Sequence, residues 1–249
     1  MNDILIVKIG SESLKDFQNA KKISTLIADI VMKIKTWVRV LLVTSWAVQF
    51  GREYSHDIEN KQVLAAIGWH HLLSAYLERF KRYNIDIAGF LVTHADLEDD
   101  ESRASTLVDT IKATWQAGIL PIVNENDPIS TEEMREVGRG ADNDQNAFLL
   151  ARIFDAHEIV IISNTDGAYR DHRDPNTRID VLRSDQLNPG YISSLCEGKS
   201  GAGTWGMESK LKIAHEAGKS GIGVYICDGI HSWICDRSLG GTMIMPIKK

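Results

Sequence analysis

Short runs of β-branched residues alternate along the chain with longer segments whose apolar residues recur at helical spacing. The short runs predict strands over residues 4–9, 38–44, 87–93, 120–124, 158–163 and 223–227. The longer segments predict helices over residues 22–36, 62–83, 103–118, 145–154 and 207–219. Strands that alternate with helices in this way are typical of an α/β domain with a mainly parallel sheet.

The composition is that of an ordinary globular chain. Of the 249 residues, 43% are apolar and 25% are charged, which argues against a disordered, fibrous or membrane protein. The sequence contains no repeat, low-complexity tract or Pro/Ser-rich linker. We therefore expect one domain over residues 1–249, which is long enough to bury a core without disulfides or structural metals.

Charge, cysteines and the amino terminus limit the partners and the compartment. The net charge is −6, whereas a protein that coats phosphates normally has a basic excess, so we expect no nucleic-acid partner. Cys196, Cys227 and Cys235 lack C-x-x-C spacing and fit a reducing compartment. The acidic start is unlike a signal peptide, and no apolar run approaches the roughly 18 residues of a membrane span. We expect a cytoplasmic protein with no membrane partner.

Small and polar residues follow four of the predicted strands, at positions 8–11, 44–46, 124–127 and 163–167. In an open parallel sheet, ligands bind beyond the carboxyl ends of the strands, so these residues are candidates for a binding crevice. Each segment taken alone is also explained by turn formation, since Ser, Asn, Asp and Gly favour turns.

Two lysines stand where phosphate chemistry needs positive charge. Lys8 lies within a buried strand, where an ammonium group is costly unless something pairs with it, and this favours a functional role. Lys210 lies in the first turn of a helix after a glycine-rich segment, although alone it would be an ordinary solvated residue. The Asp-Asn-Asp triplet at 142–144 is either an N-cap or, with Asp127, a set of carboxylates that orient lysines or bind an amine.

The segment 201–206 matches the G-x-G-x-x-G pattern of dinucleotide-binding folds, with Asp228 roughly 20 residues further on. That pattern requires a strand directly before the first glycine, but residues 188–200 are polar and loop-like, so the dinucleotide interpretation fails. A glycine-rich loop at a helix amino terminus remains a possible anion site. No P-loop sequence occurs, and the pair His70 and His71 lacks metal-ligand spacing, so we expect no protein metal site.

The motifs at the strand ends occur in a recognisable order. They lie at 7–11, 42–47, 51–53, 61–68, 121–127, 142–144, 166–169 and 203–210, and read VKIGS, LVTSWA, GRE, KQVLAAIG, PIVNEND, DND, DGAY and GTWGMESK. Together they resemble the glutamate 5-kinases of the amino acid kinase family, over residues 4 to 245. The N-E-N-D and K-Q-x-L-A-A-x-G strings are specific to this branch of the family.

The resemblance implies a three-layer αβα sandwich with a mainly parallel central sheet, as in carbamate kinases. It implies ATP-dependent phosphorylation of the γ-carboxylate of L-glutamate to L-glutamyl 5-phosphate, the first step of proline biosynthesis, with Mg²⁺ on the ATP phosphates. Many such enzymes carry a C-terminal PUA domain of RNA-binding type, so this chain would be a short form without one. A homodimer or homotetramer is expected.

The resemblance also assigns roles to individual residues. Lys8 and Lys210 would contact the transferring phosphoryl group, and Asp144 would hold the two lysines. The residues expected to bind glutamate are Ser45, Asn124, Asp127, Asp142 and Asn143. Those expected to bind ATP are Lys8, Gly10, Ser11, Ser163, Asn164, Asp166, Thr204, Trp205, Gly206, Met207, Glu208, Ser209 and Lys210.

Several residues depart from the family pattern. Trp46 replaces the glycine that normally follows the serine of the substrate loop, and Trp205 replaces a glycine of the nucleotide loop. Glu12, Trp69 and Asn164 replace a small hydroxyl residue, a glutamine and an aspartate. The indoles either fill the ligand loops or pack away from them. Three hypotheses follow: an active kinase, an impaired relative that binds a ligand or partner without phosphorylating glutamate, and a sibling kinase with another acceptor.

Overall fold

A computed structural model gives the fold and describes residues 3–14, 20–98, 100–129, 143–171, 173–196, 203–229, 234–238 and 240–247. The strands are β1 (Ile4–Ile9), β2 (Arg39–Val43), β3 (Ile87–Val92), β4 (Leu120–Glu125), β5 (Glu158–Ile162), β6 (Val181–Arg183), β7 (Gly223–Cys227) and β8 (Thr242–Met245). The helices are α1 (Ser11–Leu14), α2 (Ala20–Lys35), α3 (Ala47–Tyr54), α4 (Lys61–Lys81), α5 (His94–Glu98), α6 (Glu101–Gln116), α7 (Asn143–Ile153), α8 (Pro189–Cys196) and α9 (Gly203–Lys219).

The eight described strands form one sheet in the order β3-β4-β2-β1-β5-β7-β8-β6. Every pair is parallel except β7 with β8, so the predicted mainly parallel sheet is confirmed. From β1 the chain builds the sheet first toward β2, β3 and β4, and then crosses to the other side at β5. The carboxyl ends of β1 and β5 therefore lie where the winding reverses, which is where open α/β sheets bind ligands.

Helices cover both faces of the sheet, which confirms the three-layer αβα sandwich. One apolar cluster joins Leu5, Val7 and Ile9 of β1 to α2, α3 and α4, and we call this side the α4 face. The other cluster joins Ile4 and Ile6 to α6, α7, α8 and α9, and we call it the α7 face. The two-residue alternation of β1 thus supplies both layers of core. None of the described helices is long and apolar enough to cross a membrane.

The predicted elements occur, with ends shifted by a few residues, but residues 188–200 are not all loop as expected. Pro189–Cys196 form α8, in which Asn188 Oδ1 accepts the N–H of Tyr191 at 3.0 Å. An Asn cap followed by proline is a regular start for a helix. The correction does not revive the dinucleotide interpretation, because that pattern needs a strand before its glycines.

The crossing of α3 and α4 depends on two glycines. A Cβ on Gly68 would lie 1.7 Å from the carbonyl oxygen of Ala47, and one on Gly51 would lie 2.0 Å from that of Leu64. No side chain fits at those distances, so the two helix backbones touch directly. This contact sets the position of the amino terminus of α3 and of the residues just before it, which follow β2.

We expect Gly68→Ala to destabilise the protein by about 1–3 kcal/mol or more, since the added methyl group meets backbone rather than a movable side chain. Gly190→Ala is the matched control, because its Cβ would meet only Asn188 Oδ1 at 3.4 Å. Urea unfolding of both variants measures the difference. Equal stabilities would show that α3 and α4 do not cross in this way.

Candidate active site

Buried polar residues gather at the carboxyl ends of β1, β2, β4 and β5, although the strands themselves are apolar. They are Lys8, Thr44, Ser45, Asn124, Glu125 and Ser163. Burying polar groups is costly unless they are hydrogen-bonded or serve a ligand. This edge of the sheet is therefore the candidate active site.

Lys8, Asp144 and Lys210 lie in contact at this edge. The alternation of β1 places Lys8 on the same face as Ile6, toward α7 and α9. Its Nζ lies 2.6 Å from Oδ1 of Asp144, the second residue of α7. The Nζ of Lys210 lies 3.3 Å from Oδ2 of the same carboxylate and donates to the carbonyl oxygen of Gly206 at 3.1 Å. The structure thus brings together the three residues for which catalytic roles are predicted.

The three charged groups are all buried. Burial alone would raise the pKa of the Asp144 carboxyl, but Lys8 and Lys210 outweigh that effect and hold the pKa below its usual value of 3.8. Asp144 is therefore an anion at neutral pH. Because two ammonium groups share one carboxylate, positive charge is left over for an anionic ligand.

Gly10 and Ser163 border this cluster at the ends of β1 and β5. The Gly10 N–H donates to the carbonyl oxygen of Ile162 at 3.0 Å, and a Cβ on Gly10 would lie 3.7 Å from Nζ of Lys8. The Ser163 N–H donates to the carbonyl oxygen of Cys227 at 2.7 Å. Glycine thus leaves room above Lys8 where the two strand ends lie side by side.

Other residues predicted to bind ATP have partners within the protein. Asp166 accepts hydrogen bonds from Arg178, at 2.8 Å, and from the hydroxyl of Tyr169. Glu208 pairs with Lys212 at 2.7 Å, and the side chain of Met207 packs in the core of the α7 face. These contacts lie within the protein, and a role for the three residues in ATP binding stays a prediction.

Some predictions lie outside the described residues. Asp142 is one, and the side chains of Ser11, Glu12, Thr204 and Trp205 are the others. Asn164 is described and is exposed after β5, where its Oδ1 accepts from Ser163 Oγ at 3.4 Å.

The described residues predicted to bind glutamate lie at the ends of β2 and β4 and at the start of α7, at the same edge of the sheet as Lys8. Asn124 is buried, and neither its Oδ1 nor its Nδ2 has a hydrogen-bond partner among the described residues. Asn143 Oδ1 accepts the N–H of Glu125 at 3.3 Å, which leaves its Nδ2 as a donor. Ser45 is buried after β2, and Asp127 is half-buried in the turn after β4. An unpaired buried amide costs about 1–3 kcal/mol, so Asn124 in particular points to a polar ligand.

Trp46 packs in the core of the α4 face. Its ring lies edge-on to Phe50, with centroids 5.8 Å apart, and only 9% of the residue is exposed. Its backbone is left-handed, with φ 85°, a conformation that favours glycine. Its Nε1 is buried without a partner among the described residues. Of the two alternatives, the structure favours packing over obstruction of the loop.

Sequence reasoning placed Glu125 among the crevice candidates at 124–127 without giving it a role, and it missed Asn146. Both are buried, and Asn146 Nδ2 donates to the carboxylate of Glu125 beside the predicted site. A signal was present, because Glu125 ends a strand that is otherwise largely apolar, as Lys8 does in β1. The Asn146 partner lies on a helix 21 residues later and could not be found from spacing.

The described residues do not form a metal cage. No group of three His, Cys, Asp or Glu side chains in this part of the chain is placed to hold a metal ion. The Asp144 carboxylate is taken up by its two lysines. In nucleotide-dependent enzymes Mg²⁺ is commonly held by substrate phosphates and water with only one or two carboxylates, so it needs no all-protein cage.

We expect Asp144→Asn to destabilise the protein at pH 7 by about 3–5 kcal/mol, because two buried ammonium groups lose their counter-charge. Because its pKa is lowered on folding, the ionised Asp144 carboxylate adds to the free energy of unfolding above about pH 4. This stabilisation is lost as the pH falls through the folded-state pKa. Stability of the variant should therefore depend less on pH in the acid range. Urea unfolding from pH 2 to 7 tests this, with Asp109→Asn on the exposed side of α6 as control. Parallel curves for wild type and Asp144→Asn would contradict it.

We expect Trp46→Gly to lower stability by about 2–4 kcal/mol, because loss of the buried indole outweighs relief of the left-handed backbone. Trp46→Phe keeps a ring and removes the unpartnered N–H, so it should cost less than about 1 kcal/mol. Denaturant unfolding compares the two. A Trp46→Gly protein that is as stable as wild type would place the indole outside the core.

Known proteins provide an independent comparison. The model of the family described as "Amino acid kinase family" matches residues 3–228. Glutamate 5-kinase of Sodalis glossinidius (strain morsitans) is 33% identical in an alignment of 252 positions, gaps included, that covers 96% of this chain and 67% of that protein. Glutamate 5-kinase of Proteus mirabilis (strain HI4320) is 32% identical in an alignment of 260 positions that covers 98% of this chain and 69% of that protein. The chain spans about two thirds of the length of these relatives.

Among solved structures, carbamate kinase from Giardia lamblia bound to AMP-PNP has a TM-score of 0.65 and covers 99% of both chains at 15% identity. At that identity the likeness concerns the fold alone. The family model, in contrast, matches residues 3–228, a range that contains Lys8, Asp144 and Lys210. The chain therefore belongs to the amino acid kinase family.

Proposed function

We propose that the protein phosphorylates the γ-carboxylate of L-glutamate with ATP and releases L-glutamyl 5-phosphate and ADP. The observation that carries the proposal is the buried cluster of Lys8, Asp144 and Lys210 at the carboxyl-terminal edge of the sheet. Asn124, whose side chain has no hydrogen-bond partner among the described residues, lies at the same edge, on β4. The relatives that are named glutamate 5-kinase support this choice of acceptor.

The chemistry needs positive charge more than it needs a nucleophilic side chain. A carboxylate oxygen of the substrate attacks the γ-phosphorus of ATP, the bond to the bridging oxygen breaks, and ADP leaves with the electron pair. Charge on the equatorial oxygens is stabilised by positioned cations. In this proposal Lys8 and Lys210 supply them, and this is supported by Asp144, which pairs with both ammonium groups but carries a single negative charge.

The acceptor side has groups that suit an amino dicarboxylic acid. Asn143 has an Nδ2 donor for a ligand while its Oδ1 accepts the N–H of Glu125, and a donor suits a carboxylate. Asn124 and Ser45 add neutral polar groups, and Asp127 adds a carboxylate for the α-ammonium group. The nucleotide would lie over Gly10, Ser163 and the start of α9, and Mg²⁺ would arrive on its phosphates.

The proposal is tested by incubating the protein with Mg²⁺, ATP and L-glutamate and trapping the acyl phosphate with hydroxylamine. We expect glutamate-dependent hydroxamate and ADP in equal amounts. Aspartate, N-acetylglutamate and carbamate serve as alternative acceptors. Turnover with one of these alone would identify a sibling kinase, and ATP or glutamate binding without turnover would identify an impaired relative.

We expect Lys210→Met to lower kcat by at least about 100-fold, since a positioned charge is lost from the transition state. Lys212→Met is the matched control, because Lys212 lies on the same helix and pairs with Glu208 on the surface. Circular dichroism checks that both variants fold. If Lys210→Met kept more than about a tenth of wild-type kcat, a loss below roughly 1.4 kcal/mol, the role of Lys210 would be rejected.

A further inference from the structure

Glu125 is a buried acidic residue to which the proposed reaction gives no role. It is the last residue of β4 and is only 2% exposed. Strand alternation puts it on the same face as Val123, which belongs to the core of the α7 face. Its side chain therefore turns toward α7 and away from Asn124, the neighbour that lies on the α4 face.

Glu125 holds the first turn of α7 at two points. Its carboxylate accepts a hydrogen bond from Nδ2 of Asn146, and its backbone N–H donates to Oδ1 of Asn143 at 3.3 Å. These two asparagines lie three residues apart and therefore on one side of the helix, with Asp144 between them in sequence. One strand residue thus contacts the helix turn that carries both Asp144 and the proposed glutamate ligand Asn143.

We propose that Glu125 is a positioning residue that fixes the first turn of α7 against the sheet. This inference rests on the proposed function for its catalytic consequence. Through its hydrogen bond with Asn146, the Glu125 carboxylate fixes the position of α7 along the direction of β4. It thereby also fixes the distance from Asp144 to Lys8 on β1. The ion pair between Asp144 and Lys8 is 2.6 Å long, so a shift of the helix by about one ångström would open it and misplace the lysine.

The Asn146 side chain depends on this contact. It is fully buried, and its Oδ1 has no hydrogen-bond partner among the described residues. If the Glu125 carboxylate is removed, the buried amide loses its acceptor, and the helix turn must move or admit water to satisfy it. The strain would fall on Asp144 and Asn143 rather than on the distant core.

Glu158 offers a matched control. It is also a buried glutamate at a strand end, and its carboxylate pairs with Arg237 at 2.7 Å. It begins β5, however, and so lies at the amino-terminal edge of the sheet, opposite the candidate site. Glu158→Ala removes a buried carboxylate from its partner without touching α7.

We expect both alanine variants to lose stability, but only Glu125→Ala should change catalysis. It should lower kcat about 10- to 100-fold and raise the KM for glutamate. Glu125→Gln keeps an oxygen acceptor for Asn146 and should recover most of the activity. Adding Asn146→Ala to Glu125→Ala should cost less than the sum of the two single effects, since both remove one contact. Equal activity of Glu125→Ala and Glu158→Ala, or a Gln variant no better than Ala, would overturn the proposal.

A binding measurement separates this inference from the proposed function. The affinities of AMP-PNP and ADP are compared by calorimetry in wild type and both alanine variants. If wild type shows no glutamate-dependent turnover, the proposed function fails. The positioning role is then supported if Glu125→Ala alone loses the preference for the triphosphate, and it is contradicted if wild type and both variants share the same preference.

Discussion

A single buried carboxylate, that of Asp144, holds two buried ammonium groups at the edge of the sheet. None of these groups is stable there alone, because an unpaired charge in the interior costs several kcal/mol. The protein must therefore bring β1, α7 and α9 to one point with a precision of about one ångström. The sheet and the contacts at the strand ends hold these three elements in place.

The sheet provides the first part of that precision. The core on both faces of β1 fixes the direction in which Lys8 points, and its pairing with β2 and β5 fixes its height. The second part comes from contacts at the strand ends. Glu125 ties α7 to β4, and the backbone contact at Gly51 and Gly68 places the segment that joins β2 to α3. Buried polar groups and closely packed glycines thus occur at the strand ends, where the elements that carry the candidate active-site residues meet.

Much of the fold could be predicted from the sequence, because fully apolar strands and amphipathic helices carry strong periodic signals. Lys8 could be singled out for the same reason, as a charge inside such a strand. Helix α8 was missed because its short apolar stripe lies among turn-forming residues. The Glu125–Asn146 contact was missed because it joins residues that are 21 positions apart, and local pattern contains no information on such pairs. The orientation of Trp46 could not be predicted either, since a left-handed backbone at a bulky residue is decided by packing against α3 and α4 rather than by local preference.

The central claim is that Lys8 and Lys210 face the transferring phosphoryl group. A crystal structure with Mg²⁺, AMP-PNP and glutamate measures it directly. We predict γ-phosphate oxygens about 3 Å from both Nζ atoms, with Asp144 still between them. A γ-phosphate bound elsewhere, with Lys8 and Lys210 engaged only by Asp144, would contradict the account.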